Sequence, residues 1–79
     1  MNNDIIYLID IKQGILVNII GFTADLRLQQ KISQYGLFRG DTARVLRIAP
    51  FDGPVLLEVG GREIALGKSI AAKIQVELV

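Results

Sequence analysis

Few residues in this chain can do chemistry, and their spacing narrows the choice further. The 79-residue sequence contains no cysteine and no histidine. Disulfides, thiolate and imidazole nucleophiles, the usual zinc ligands and the commonest general base are therefore all missing. Gly67-Lys68-Ser69 ends as a phosphate-binding loop ends, but that motif needs a glycine five residues before Gly67. Position 62 is Arg, and Gly61 comes one residue too early. A hairpin strand precedes the tripeptide, where the motif requires a parallel α/β sheet, so it reads as a turn.

The eight acids are scattered, without Asp-x-Asp or Glu-x-x-His spacing. Only Glu58 and Glu63 are expected to lie close, across a hairpin, where a solvated sheet face accounts for them and a weak surface cation site is the alternative. No catalytic, cofactor-binding or metal-binding constellation emerges, and no enzyme is expected.

Binding is the chemistry that remains. Arg39, Arg44 and Arg47 fall around one turn and strand, which keeps an RNA-binding barrel open as a minor alternative. Against it stand a formal net charge of +1 and only five aromatic residues, too little for electrostatic capture and base stacking. Apolar residues make up 51% of the chain, more than so small a domain can hide. Tyr35 and Leu37 are assigned to the core. Phe38 and Phe51, at turns, are assigned to an exposed patch for a protein partner, with Arg39 and Arg47 beside them.

The elements that position these residues follow from periodicity. Ile5 to Ile11 reads as an irregular arm or short strand, closed by a turn at Gly14. Ile15 to Ile20 reads as a strand with Ile15, Val17 and Ile19 on one face. Gly21-Phe22-Thr23 leaves it. Asp25 then caps a short helix whose apolar positions Leu28, Ile32 and Tyr35 share one side, with an exit at Gly36. Arg39-Gly40-Asp41 is a tight turn into a strand from Thr42 to Ile48, in which Arg47 interrupts the alternation begun by Ala43 and Val45. Ala49-Pro50-Phe51-Asp52-Gly53-Pro54 is a loop, since neither proline can donate to a ladder.

Gly60-Gly61 joins Val55–Val59 and Arg62–Leu66 as a two-residue hairpin, with Val55 opposite Leu66, Leu57 opposite Ile64, and Glu58 opposite Glu63. A helical turn over Lys68 to Ala71 leads to a strand from Lys73 to Leu78, with Ile74, Val76 and Leu78 inward. The expected fold is mainly β: one domain over residues 1–79, a small SH3-like five-stranded barrel. One short helix lies between strands 1 and 2, and a helical turn precedes the last strand. Met1-Asn2-Asn3-Asp4 lacks the basic region of a secretory signal. The uncharged stretch from Gly14 to Ala24 is shorter than the roughly 20 residues that cross a bilayer, so a cytoplasmic protein without membrane insertion is expected.

The ordered series Leu28-x-x-x-Ile32-x-x-Tyr35-Gly36-Leu37-x-x-Gly40, Val45, Ala49-Pro50, Gly53-Pro54, Gly61, Ile64-Ala65-Leu66, Ala71 and Ile74-x-Val76-Glu77 resembles the FeoA family, small cytoplasmic proteins of bacterial ferrous-iron uptake. Leu8, Ile11 and Gly14 fit its usual opening. Gln29-Gln30-Lys31, Gln34 and Arg39 depart from residues common there. The resemblance implies an SH3-like barrel and an accessory role beside the FeoB-type membrane permease, through docking on its cytoplasmic part. It implies no catalysis and no bound cofactor. Weak self-association accompanies this expectation. The alternative partner is the body of an iron-dependent repressor, or a proline-containing peptide, bound by a stand-alone interaction domain.

Overall fold

The computed structural model describes residues 5–79; the reading of Met1 to Asp4 lies outside the described residues. Among the described residues six strands form one antiparallel sheet: β1 (Ile6–Tyr7), β2 (Leu16–Phe22), β3 (Thr42–Ile48), β4 (Val55–Val59), β5 (Arg62–Leu66) and β6 (Ile74–Leu78). Their order across the sheet is β1-β6-β2-β3-β4-β5. A 3-10 turn over Leu8–Asp10 follows β1, helix α1 (Leu26–Gln34) joins β2 to β3, and the single turn α2 (Lys68–Ala71) precedes β6. Mainly β with few helices is as expected, but there are six strands where five were counted. The Ile5–Ile11 arm contributes a two-residue strand at one edge, with Ile6 opposite Val76 and Tyr7 opposite Gln75. The expected helix "between strands 1 and 2" accordingly lies between β2 and β3.

Two bulges decide which side chains face the core. Along β2 the register steps from Ile19 opposite Val76 to Gly21 opposite Gln75. The extra residue, Ile20, is exposed, and Phe22 comes round opposite Ile74 and packs on the core. Phe22 thus completes the strand, where the sequence had placed it in an exit turn. Along β3 the register steps from Val45 opposite Leu57 to Arg47 opposite Leu56. Simple alternation would point Arg47 inward after Val45; the bulge at Leu46 returns it to the outer face. That resolves the break in pattern noted from sequence.

Among the described residues, seventeen buried apolar side chains, all Leu, Ile, Val or Ala, form the core, and no polar residue is buried. Ile32 from α1, Leu37 after it, and Ile70 and Ala71 from α2 join Leu8 and the strand residues, while Leu28 and Tyr35 pack partly against them. The hairpin register of β4 and β5 is the expected one throughout. Leu78 departs from expectation: it pairs with Val17 on the core side but stays 60% exposed, because the core ends before the strand does.

Local chemistry fixes the ends of α1. The Asp25 carboxylate accepts the Leu28 N–H at 2.9 Å, satisfying one of the free donors of the first turn. At the other end Gly36 has φ +86° and its carbonyl accepts an Nη2 hydrogen bond from Arg62 at 3.0 Å, tying the helix exit to β5. A Cβ on Gly36 would lie 2.5 Å from Arg62 Nη1. Gly36→Ala is therefore expected to cost about 1–2 kcal/mol, from a left-handed backbone plus the displaced guanidinium, and to lower the urea midpoint without changing the slope.

Candidate docking surface

The chain builds the same tight turn twice, with different residues. Between β4 and β5, Gly60 and Gly61 have φ of +58° and +80°, the left-handed pair that a two-residue hairpin requires and that glycine adopts without steric cost. Between β3 and β4 the strands continue past Ile48 and Val55: the Ala49 N–H donates to the Pro54 carbonyl at 3.0 Å and the Gly53 N–H to the Pro50 carbonyl at 3.1 Å. The two prolines sit where only their carbonyls are needed, which is how a proline-bracketed segment extends the hairpin.

The turn residues of this second hairpin are Phe51 and Asp52, with φ of +55° and +63°. Aspartate tolerates that conformation; for a phenylalanine it costs about 1–2 kcal/mol. The strained side chain gains no packing in return, because Phe51 is 98% exposed. Gly53, behind it, has no room for a side chain, since a Cβ would lie 2.6 Å from that of Ala49. A rigid hairpin tip therefore presents an aromatic ring to solvent at an energetic cost to the fold.

The other residues expected at a docking patch divide between the two ends of β3. Arg47 and Ile48, both exposed, lead into the Phe51 tip. Phe38, 53% exposed, and Arg39 precede β3. The Asp41 carboxylate accepts the Phe38 N–H at 2.8 Å, and the Gly40 N–H donates to the Ile19 carbonyl at 2.8 Å. There Arg39 borders a shallow depression of about 450 Å³ with Asn18, Ile20 and Glu77. Seven residues of β3 separate the two aromatic turns, a span of about 20 Å at roughly 3.3 Å per residue. Phe38 with Arg39 and Phe51 with Arg47 thus form two patches and not one.

The arginines do not make a single basic face. Arg44 lies opposite Leu16 and Glu58 and donates through Nη1 to the Gly14 carbonyl at 3.0 Å, while Arg47 lies opposite Leu56. Glu58 and Glu63 are paired as expected, and Arg44 flanks Glu58 on its other side, a carboxylate pair with a cation beside it on a solvated face. Lys68 and Ser69 belong to a single helical turn. Among the described residues no three His, Cys, Asp or Glu side chains come together as a metal site, and no helix is long and apolar enough to cross a membrane.

Sequence reasoning missed one further feature, an apolar groove where β2 begins and β6 ends. It is an open groove of about 310 Å³ lined by Ile6, Ile11, Ile15 and Leu78, with Asp10 and Lys12 on its rim. Each residue had been placed in its own strand or arm. Their convergence depends on β1 pairing with β6, which local periodicity does not encode.

A family model described as the FeoA domain matches residues 6–78. No curated protein sequence matches the chain. Among solved structures, a crystal structure of an iron uptake regulatory protein (FeoA) is 28% identical, with a TM-score of 0.87, covering 96% of this chain and 100% of that one. The NMR structure of a FeoA-like protein from Clostridium acetobutylicum is also 28% identical, with a TM-score of 0.86 over 99% of this chain and 91% of that one. The apo form of the manganese-activated repressor ScaR is 30% identical, with a TM-score of 0.83 over 92% of this chain; there the match spans 35% of the other chain, about a third of its length. The SH3-like fold expected from the sequence is the one these proteins share.

Proposed function

Because this chain belongs to the FeoA domain family, we propose that it is an accessory protein of ferrous-iron uptake that docks through its β3–β4 tip on the cytoplasmic part of a FeoB-type permease. The observation that carries the docking surface is Phe51, fully solvent-exposed and held in a left-handed turn where a second turn of the same kind uses two glycines. Backbone strain with no compensating contact inside the molecule is accounted for if the contact lies outside it. A rigid aromatic at a hairpin tip loses little entropy on entering an apolar pocket, and such residues dominate binding energy at protein interfaces. Arg47 and Ile48 extend the contact along the strand, and Arg47 supports recognition of an acidic rim around that pocket.

The role is one of binding without catalysis: the chain alters how the permease assembles or gates. Absence of cysteine and histidine from the sequence argues against this chain carrying ferrous iron tightly itself, since those side chains are the strong nitrogen and sulfur ligands for such a metal.

A second role, as a stand-alone partner of a metal-dependent repressor, draws support from the likeness to ScaR. The test is a pull-down of the tagged protein from detergent-solubilised membranes and from the soluble fraction of its host, with bound proteins identified by mass spectrometry. Recovery of the FeoB-type permease, reduced at least tenfold by Phe51→Ala and little changed by Phe38→Ala, is expected. Recovery of a repressor without the permease would transfer the role to regulation. Phe51→Ala should leave the melting temperature within a few degrees of wild type, since a 98% exposed side chain contributes nothing to the core.

A further inference from the structure

We propose that, in the absence of another partner, two copies of this chain associate through the end of the sheet that carries Phe51, each phenyl ring entering the apolar groove of the other copy. This inference stands apart from permease docking and is tested without a permease present.

The groove exists because the core side of the sheet outruns its cover. Ile6 and Leu78 lie opposite the buried Val76 and Val17, so their side chains project to the core side. Ile15 and Leu78 nevertheless remain 41% and 60% exposed. An apolar groove of about 310 Å³ with two charges on its rim accommodates a phenyl ring, whose burial removes about 150–250 Å² from water.

Knob and groove lie at the same end of the molecule. The Gly14 N–H donates to the Val45 carbonyl at 2.6 Å and the Val45 N–H to the Ile15 carbonyl at 3.1 Å. The rest of β3 and its tip therefore run on past the turn that borders the groove. At 98% exposure Phe51 does not fill the groove of its own chain. Two copies meeting end to end about a two-fold axis place each knob over the other's groove, a closed and self-complementary contact.

Charge favours a second copy as the occupant. The groove rim carries Asp10 and Lys12, and the tip carries Arg47 and Asp52, all four exposed. An anion and a cation at the rim thus meet a cation and an anion at the tip, pairing Lys12 with Asp52 and Asp10 with Arg47 across the interface. Such rim charges set orientation and partner choice more than affinity. Two phenyl knobs make a small interface, so association is weak and reversible. Because the dimer covers Phe51, self-association and docking through the same ring exclude one another.

The experiment is sedimentation equilibrium of the full chain alone, from about 10 μM to about 1 mM, a range that brackets a weak dimer. The expected result is a mass rising toward twice the monomer. Phe51→Ala, with an unchanged circular dichroism spectrum, should stay monomeric. Lys12→Asp and Asp52→Lys should each weaken dimerisation at least fivefold, and the double variant should return to within about twofold of wild type, because the two charges have exchanged places. A monomer at every concentration, a dimer indifferent to Phe51→Ala, single swaps without effect, or a double variant no better than the singles would each overturn the proposal. None of those outcomes would bear on the pull-down of the permease.

Discussion

Leu57→Ala is expected to bring the protein close to its unfolding threshold. Leu57 is completely buried at the centre of β4, opposite Val45 of β3 on one side and Ile64 of β5 on the other. Truncation leaves a cavity under three strands that the neighbouring hydrogen-bonded ladders prevent from collapsing, at a cost of about 3–4 kcal/mol. A domain of 79 residues has a total stability of about 4–12 kcal/mol at ordinary per-residue values. A large part of it would be lost, and the urea midpoint should fall by about a quarter or more. Leu56→Ala is the control: Leu56 is only partly buried and lies opposite Arg47, so its loss should stay under about 1 kcal/mol. Equal effects of the two substitutions would mean that β4 is not held in the observed register.

Phe51→Asn is expected to move stability and binding in opposite directions. Asparagine accepts the left-handed conformation that phenylalanine resists, and Phe51 makes no packing contact to lose at 98% exposure. The variant should therefore be more stable than wild type by about 1 kcal/mol, a rise in melting temperature of roughly 4–8 °C for a domain of this size. The same change removes the aromatic ring and should abolish detectable permease docking. A site kept at a cost to stability behaves in this way. A destabilised Phe51→Asn would show that the ring packs on the protein, and the assignment of the tip as a docking surface would fall with it.

Elements governed by local chemistry were legible from the sequence. Asp25 at the cap, the Leu28, Ile32 and Tyr35 stripe, Gly36 at the exit, and the Gly60-Gly61 hairpin with its register all lie where residue type and spacing put them. Periodicity fails where the backbone inserts a residue. The bulges at Ile20 and Leu46 redirect Phe22 and Arg47, and nothing in a period-two pattern announces a bulge except the break itself, visible at Arg47. The edge strand Ile6–Tyr7 has too few residues to carry a pattern at all.

Exposure of Phe38 and Phe51 was inferred from a surplus of apolar residues over what a small core can bury, and both side chains are exposed. Their separation was not legible, because they flank β3 on either side and residue type does not show which turns the sheet brings together. Equally invisible was the left-handed backbone at Phe51. Pro50 and Gly53 announce a turn without specifying its hand, and an Asn-Gly pair, the usual sign of this turn type, is missing.

Calorimetric titration of the protein against the purified cytoplasmic region of its host's FeoB-type permease decides whether the strained tip is a docking surface for that permease. The expected result is saturable binding by wild type, at least tenfold weaker binding by Phe51→Ala at unchanged thermal stability, and little change with Phe38→Ala at the other end of β3. Absence of binding by wild type, or binding that Phe51→Ala leaves intact, would contradict it.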